Sequence, residues 1–335
     1  MYTPSVLRAH ARKVTRTLAI ATALLAPAGD ARAHPPAAHV ETVALFDAAL
    51  LEAPENIAID SAGDIFITLA LTGEIRRITP NGAQSTFATL PLGAPPLTPC
   101  GPFVGGLTGL AIDHHDNLYA ALASCDPSSR GVWRLTPDGH ATMLAALPMS
   151  ALPNGVAFRH GALYIADSAL GLVWRASAAQ PGPAEIWSDD PLLARPDTAL
   201  PGPNGAQFFQ GELYVSNVDT QQILAIPLLP DGTAGSARVH AANVACDDFA
   251  FDVHGSMYCG TGALGTLLRI GLDGSVDALL TAADGLDGPT SAIFGRIGED
   301  RRSLYVTNGA FPFFSTAHRP SLMRVKLGVE GLARP

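Results

Sequence analysis

Short apolar segments recur along most of the chain, and clusters of Gly, Pro, Asn and Asp separate them. Several segments alternate between apolar and polar positions, as VETVALFD does at Val40–Asp47. Such alternation is typical of β-strands with one buried face, and the intervening clusters are typical of turns. Beyond the N-terminal region, no window has the apolar spacing of a long amphipathic helix. The pattern predicts an all-β protein.

The strand-like segments recur in the same order six times. The first segment of a copy resembles ENIAID, the second resembles GELYVSN and the third resembles GEIRRI. The copies are 43 to 53 residues apart and begin at Glu55, Thr108, Asn154, Asn204, Asp247 and Thr290. A four-stranded antiparallel unit of this length, repeated without helices, is typical of a propeller blade. The sequence therefore predicts a six-bladed β-propeller.

The sixth copy runs out of chain after its third strand, at LMRVKLG. A blade without its outer strand would leave an unpaired strand edge. The segment Val40–Asp47 precedes the first copy and alternates as a strand does. We therefore expect this N-terminal strand to complete blade six and to close the ring.

The N-terminal residues have the composition of a signal peptide. A basic stretch at Arg8–Arg16 precedes the apolar run Thr17–Ala28, and an A-x-A cleavage pattern follows at Ala31–Ala33. The apolar run is too short to span a bilayer as a retained anchor. We expect cleavage to remove residues 1–33 and to release one propeller domain, residues 34–335, outside the cell or in the periplasm.

The charge balance excludes some classes of partner. The net charge is −9, and loss of the five basic residues and one acidic residue in residues 1–33 changes it to −13. Such an acidic protein is poorly suited to nucleic acid or to an anionic membrane surface. It remains compatible with a divalent cation. The oligomeric state stays open.

Four cysteines are present, at Cys100, Cys125, Cys246 and Cys259. An even number in an exported chain indicates disulfides, and the absence of C-x-x-C spacing argues against zinc or thioredoxin chemistry. Three pairings are possible. The repeat favours Cys246 with Cys259, because they lie on neighbouring strands of one hairpin, and Cys100 with Cys125, because both lie at the same end of blade two.

The six starting residues of the repeat predict a polar ring. The first strand of each propeller blade lines the central channel, so these side chains surround one axis and supply carboxylate, carboxamide and hydroxyl oxygens. Calcium accepts such an all-oxygen set, and His or Cys ligands for zinc or copper are missing from it. We predict that Glu55, Asn154, Asn204 and Asp247 bind Ca²⁺, with another divalent cation as the alternative. Other interpretations stay open: Asn-Gly as a plain turn element, a purely structural ion, and a water-filled polar channel.

The chain resembles the senescence marker protein (regucalcin) and gluconolactonase family, calcium-dependent six-bladed propellers related to paraoxonase and diisopropylfluorophosphatase. The resemblance rests on the repeat and on Glu55, Asn154, Asn204 and Asp247, which match the metal ligands of that family. It implies a hydrolase of a lactone or related ester in which Asp247 is catalytic, either by activating water or by direct attack. The sugar-binding Arg and Asn of the second blade have no clear counterpart near Thr108.

Four further residues are candidates for substrate contact. Thr108 and Thr290 complete the polar ring, and Asn308 and His318 lie in loops that return to the same end of the channel. Other functions stay open: a non-catalytic propeller that binds a peptide or glycan, a phosphotriesterase, or an enzyme like strictosidine synthase. The last of these uses a glutamate where this chain has Thr290.

Overall fold

The structure is a computed structural model that describes residues 39–101, 103–197 and 200–333. The signal peptide predicted at residues 1–33 lies outside the described residues. The described part of the chain contains 24 strands in six four-stranded antiparallel sheets and no α-helix. The sheets form a six-bladed β-propeller, which confirms the predicted fold.

Blades one to five each use four consecutive strands, given in order from the channel outward. Blade one contains β2 Pro54–Ile59, β3 Ile65–Leu69, β4 Glu74–Ile78 and β5 Gln84–Thr89. Blade two contains β6 Gly106–Ile112, β7 Leu118–Ala123, β8 Gly131–Leu135 and β9 Ala141–Ala146. Blade three contains β10 Pro153–Arg159, β11 Ala162–Asp167, β12 Leu172–Ser177 and β13 Glu185–Ser188.

The remaining blades follow the same order, except at the closure. Blade four contains β14 Pro203–Phe209, β15 Glu212–Asn217, β16 Gln222–Pro227 and β17 Arg238–Ala242. Blade five contains β18 Phe249–Phe251, β19 Met257–Gly260, β20 Leu267–Ile270 and β21 Val276–Leu280. Blade six contains β22 Pro289–Phe294, β23 Ser303–Asn308, β24 Ser321–Lys326 and the N-terminal β1 Val40–Leu45. Short 3-10 helices lie at Ala48–Leu50, Pro191–Leu193, Gly262–Leu264, Ala282–Asp284 and Gly298–Arg302.

The ring closes as the sequence predicts. Strand β1 pairs antiparallel with β24, with Val40 opposite Val325 and Leu45 opposite Ser321. The backbone amide of Phe46 then donates to the Pro320 carbonyl at 3.0 Å. Because β1 covers the edge of β24, the first and the last described strand of the chain are held in one sheet.

Burial follows the position of a strand within its blade. All seven residues of the inner strand β6 are buried, whereas none of the outer strand β5 is fully buried. Five hydrophobic clusters each combine residues from two neighbouring blades. The apolar faces of the blades therefore stabilise one another around the channel.

Phe46 fills the joint between the first and last blades and provides a test of the closure. Its side chain is buried with residues of blades one and six such as Ile57 and Leu322. Replacing Phe46 with Ala is expected to lower the free energy of unfolding by about 3–5 kcal/mol, through lost burial and a residual cavity. Leu45→Ala is the matched control, because Leu45 is 68% exposed. Denaturant unfolding measures both; equal losses would contradict the assignment of Phe46 to the joint.

The inner hairpins share an irregularity at the channel mouth. The pairing register shifts between Pro153 and Val156 in blade three, between Pro203 and Ala206 in blade four, and at the matching points of blades one, two and six. Such bulges redirect side chains and are common beside functional sites. They occur where the repeat places its polar starting residues.

The Asn-Gly pairs Asn154-Gly155 and Asn204-Gly205 lie inside these irregular strand starts and not in hairpin turns. Gly155 and Gly205 are outside the left-handed region, so backbone conformation does not demand glycine there. The lack of space demands glycine instead. A Cβ at Gly155 would clash with the Asn204 carbonyl oxygen, and one at Gly205 would clash with Asp248. Glycine follows each asparagine because the next blade packs against the backbone at that point.

Both favoured disulfide pairings are confirmed. Cys100 pairs with Cys125 across a Cα–Cα distance of 4.9 Å, and Cys246 pairs with Cys259 across 5.8 Å. Among the described residues, no helix is both long and apolar enough to cross a membrane.

Candidate metal centre

The six starting residues of the repeat lie at the same end of the channel. Glu55, Thr108 and Asn154 occupy the starts of β2, β6 and β10, and Asn204 and Thr290 occupy the starts of β14 and β22. The sixth, Asp247, precedes the short strand β18 and donates its backbone N–H to the Gly260 carbonyl at 2.8 Å. The fold thus gives all six the equivalent positions that the repeat predicts.

A belt of hydrogen bonds fixes the inner strands relative to one another. A hydroxyl bridges five of the six gaps between blades, and a backbone amide bridges the sixth. The bonds to backbone carbonyls are Thr68 Oγ1 to Thr108 at 2.8 Å, Thr108 Oγ1 to Pro153 at 2.7 Å, Ser168 Oγ to Pro203 at 2.6 Å, Ser216 Oγ to Asp247 at 2.7 Å, Asp248 N to Thr290 at 2.9 Å and Thr290 Oγ1 to Pro54 at 3.1 Å. The belt preorganises the ring.

Two threonines that are predicted to contact substrate belong to this belt. Thr108 and Thr290 are 8% and 1% exposed, and both hydroxyls donate to the carbonyl of the next blade. Their contribution to the geometry of the ring is therefore clear. Direct contact with substrate stays a prediction for both.

Two carboxylates of the ring lie close together. Glu55 and Asp247 are partly exposed to the channel, yet Oε2 of Glu55 is buried and has no hydrogen-bond partner among the described residues. Burial and the neighbouring charges of Asp247 and Asp248 raise the pKa of Glu55 well above its ordinary value. Burial and Asp248 raise the pKa of Asp247 to about 8, while a hydrogen bond from Asn204 opposes that rise.

Asp248 brings a third carboxylate to the site. Asn56 Nδ2 donates to Asp248 Oδ2 at 2.7 Å, and Ser291 Oγ donates to the same oxygen at 3.4 Å. Oδ1 accepts the backbone N–H of Phe249 at 2.7 Å. Because Asn56 lies in blade one and Asp248 in blade five, this contact passes across the channel. Asp248 therefore contributes charge to the centre while its oxygens are engaged by protein donors.

Sequence reasoning missed Asn56. The residue after the starting position is glycine in blades two, three and four but asparagine in blade one. That break in the pattern is the available signal. In the structure Asn56 is 5% exposed, and its Oδ1 accepts the backbone N–H of Ile57 at 2.8 Å. The fixed carboxamide can then hold Asp248 in place.

The donor chemistry fits a hard divalent cation. Clustered, desolvated carboxylates are costly unless a cation compensates them, and the orphaned Glu55 oxygen is the kind of atom that a metal satisfies. The amide of Asn154 donates to Ser168 Oγ at 3.2 Å, which fixes the carboxamide at the mouth. Within the described residues, no three His, Cys, Asp or Glu side chains form a metal-binding cluster. The predicted ligand set has a different composition, with carboxamides as well as carboxylates.

Asn308 is enclosed in blade six. It is 0% exposed, its Nδ2 donates to Ser321 Oγ at 3.0 Å and to the Gly285 carbonyl at 3.3 Å, and its Oδ1 accepts from Asp287 N at 3.1 Å. These bonds hold the loop before β22. A role for Asn308 in binding substrate stays a prediction, and its amide is already committed within the protein.

His318 lies on an insert at the same end of the propeller. The residue is exposed, has a φ of 49°, and donates its backbone N–H to Ser315 Oγ at 2.9 Å. Asp287 anchors this insert by accepting from Ser315 Oγ at 2.8 Å and from Arg319 N at 2.8 Å. Substrate contact by His318 stays a prediction.

The same insert carries an aromatic cluster that sequence reasoning passed over. The ring centroids of Phe311 and Phe313 are 5.0 Å apart, and those of Phe313 and Phe314 are 5.2 Å apart. Phe311 packs against Ala53, two residues before Glu55, while Phe313 is 61% exposed. The sequence FPFF was the signal. An apolar surface therefore lies close to the polar ring.

Comparison with solved structures gives consistent matches at low sequence identity. A luciferin-regenerating enzyme matches with a TM-score of 0.64 and 14% identity, over 89% of this chain and 98% of that one. A calcium-binding regucalcin from Agrobacterium tumefaciens matches with a TM-score of 0.62 and 16% identity, over 85% and 93%. A gluconolactonase from Xanthomonas campestris matches with a TM-score of 0.60 and 18% identity, over 90% and 99%. The fold is that of the regucalcin and gluconolactonase propellers.

No protein-family model and no curated protein sequence matches the chain. The likeness to the regucalcin and gluconolactonase propellers is therefore a likeness of structure. It extends over nearly the whole length of those proteins.

Proposed function

We propose that the chain is a calcium-dependent hydrolase of a lactone or related ester, with the ion held by Glu55, Asn154, Asn204 and Asp247. The observation that carries the proposal is the buried, unpartnered Oε2 of Glu55 beside two further carboxylates. Calcium prefers oxygen ligands and accepts irregular geometry, which suits two carboxylates and two carboxamides. When bound, such an ion polarises a carbonyl oxygen and stabilises the negative charge that develops on it.

Asp247 is the candidate base of the reaction. Its backbone is held by Gly260, and the neighbouring Cys246 is tied to Cys259 in the same hairpin. A carboxylate oxygen of Asp247 would accept a proton as the attacking water bonds to the carbonyl carbon, and would return it to the alkoxide that leaves when the ester C–O bond breaks. The hydrogen bond from Asn204 fixes the orientation of that carboxyl. The belt of hydroxyls keeps the neighbouring blades in register while the proton moves.

The substrate class rests on two lines of support. The neighbours in structure are named for gluconolactone and luciferin chemistry, which concerns small molecules. The exposed Phe313 offers a contact surface for an apolar portion of the substrate. We therefore favour a lactone or ester with an apolar portion.

We propose further that the protein is exported. Two disulfides tie the described domain, and disulfides persist in oxidising compartments. With the signal peptide expected at residues 1–33, the mature protein is residues 34–335, a single propeller that acts outside the cytoplasm.

An activity assay with and without calcium tests this function. The expected result is hydrolysis of members of a lactone and aryl-ester panel, lost on treatment with a chelator and restored by added calcium. Phosphotriesters belong in the panel because the same centre would suit them. Cleavage of phosphotriesters alone would overturn the substrate class, and activity that is absent or indifferent to the chelator would overturn the proposed function.

A further inference from the structure

The channel contains a cavity on the side away from the polar ring. It has a volume of about 590 Å³ and is lined by the far ends of the inner strands of blades two to six. Strand β10 shows the separation, because Asn154 is its second residue and Arg159 is its last. Five residues of extended strand correspond to about 16 Å. The cavity wall begins at Val156, two residues beyond Asn154, so the cavity occupies the channel beyond the ring, with Arg159 at the end away from the metal centre.

The lining of this cavity has an unusual charge for an acidic protein. The chain has a net charge of −9, yet the described residues that line the cavity include Arg159, Arg296 and Arg301 and no Asp, Glu, Lys or His. Arginines elsewhere, such as Arg76 and Arg238, pair with glutamates. Because every charged residue in the described lining is an arginine, the cavity favours the binding of an anion.

The arginines differ in how far the protein already engages them. Arg301 pairs with Glu330 at 3.0 Å, and Arg296 Nη1 donates to the Ile59 carbonyl at 3.0 Å. Arg159 forms no ion pair with any described residue, and its buried Nε has no hydrogen-bond partner among them. Its guanidinium lies 5.1 Å from the ring centroid of Phe208, so stacking fixes it without using its donors. Arg159 keeps free donors at the cavity wall.

Aromatic side chains form much of the remaining wall, beside aliphatic residues and the two glutamines Gln207 and Gln210. Phe158, Phe208 and Phe294 line the cavity, and Phe209 stacks on Phe251 with ring centroids 4.9 Å apart. The C-terminal segment closes one side, since Leu332 N donates to the Phe251 carbonyl at 2.9 Å and Gly331 packs directly on Phe294. Apolar walls with a few fixed polar groups are the usual make-up of a small-molecule site, and the volume falls in the usual range.

From this juxtaposition we propose that the far end of the channel is a binding site for a small organic anion, an aromatic or otherwise apolar carboxylate whose head group is bound by Arg159. A planar guanidinium binds a carboxylate through two parallel hydrogen bonds, and Arg296 adds a second positive charge. The phenylalanines contact the apolar body of the ligand. The site is independent of the metal centre and of the proposed hydrolysis.

Calorimetric titration with 2-naphthoate and its neutral analogue 2-naphthamide tests this site. Both titrations use the whole protein with a chelator and without any hydrolysable substrate, so failure of the proposed function leaves the result intact. The expected result is one naphthoate per chain, bound at least about tenfold more tightly than the amide, since the charged head group accounts for that difference. Equal affinities, or no naphthoate binding, would overturn the proposal.

Substitutions locate the binding. Arg159→Gln is expected to weaken naphthoate binding at least about tenfold, whereas Arg134→Gln, a surface arginine of β8, and Asp247→Asn, at the other end, leave it within about twofold. If Arg159→Gln does not fold by circular dichroism, Arg296→Gln replaces it with the same criterion. Unchanged affinity in the arginine variant, or a loss caused by Asp247→Asn instead, overturns the assignment.

Discussion

Replacing Asp247 with Asn is expected to lower kcat/KM for lactone hydrolysis by at least about 10³-fold while the protein stays folded. The substitution keeps the size of the side chain, replaces a charged oxygen of the proposed ligand set by a neutral carboxamide and removes the candidate base. It also removes a charge that repels Glu55 and Asp248. In a chelator the variant is therefore expected to unfold at a higher temperature than the native protein. Steady-state kinetics and thermal unfolding measure the two effects.

Asp113→Asn serves as the matched control. Asp113 lies at the far end of the inner hairpin of blade two, where it accepts hydrogen bonds from the backbone of His115 and from the Tyr119 hydroxyl. Its substitution is expected to lower the unfolding temperature and to leave kcat/KM within a few-fold. An Asp247→Asn variant that retains native activity, or one that loses stability in a chelator as the control does, would contradict the role given to Asp247.

The stability of the metal-free protein is expected to decrease as the pH rises from about 4 to about 8. The pKa of Glu55 and that of Asp247 are both raised in the folded state, the latter to about 8. Their stabilising contribution is complete below the pKa of an unfolded carboxyl, near 4, and is lost as the pH rises through the folded values. Added calcium is expected to reverse the loss, by about 2.7 kcal/mol at a concentration 100 times its Kd.

Thermal unfolding at pH 5 and pH 8, with chelator or with calcium, measures this dependence. Glu55→Gln is expected to flatten the pH dependence and to remove the gain from calcium. The control is Glu212→Gln, because Glu212 pairs with Arg238 on the surface and lies outside the ring. Stability that is flat with pH in the native protein, or a calcium gain that survives in Glu55→Gln, would show that the ring is not the site of the effect.

The repeat made the fold and the ring predictable from the sequence. Six equivalent starts fix which residues share the channel mouth, however far apart they lie in the chain. The alternation of Val40–Asp47 and the missing outer strand of the sixth copy predicted the closure by β1 in the same way. These features depend on the local pattern of apolar and polar residues and on the order of the strands in a propeller, and both can be recognised from the repeat.

Contacts across the channel could not be predicted, because they depend on how blades face one another. The bond between Asn56 and Asp248 joins residues 192 positions apart. The sequence left a plain turn open as another interpretation of Asn-Gly, whereas the structure requires Gly155 and Gly205 because the next blade packs there. The arginine cavity was equally hidden, since Arg159 and Arg296 come from the ends of strands in different blades. The repeat predicts at which height along the channel a residue lies, but not which residue of another blade it contacts across the channel.

Calcium binding measured on the purified protein by equilibrium dialysis tests the central claim most directly. We expect calcium binding by the native chain that is lost in both Glu55→Gln and Asp247→Asn and is kept in Asp113→Asn and Glu212→Gln. Absence of calcium binding by the native chain, or binding that persists in both ring variants, would contradict the assignment of the ion to the ring.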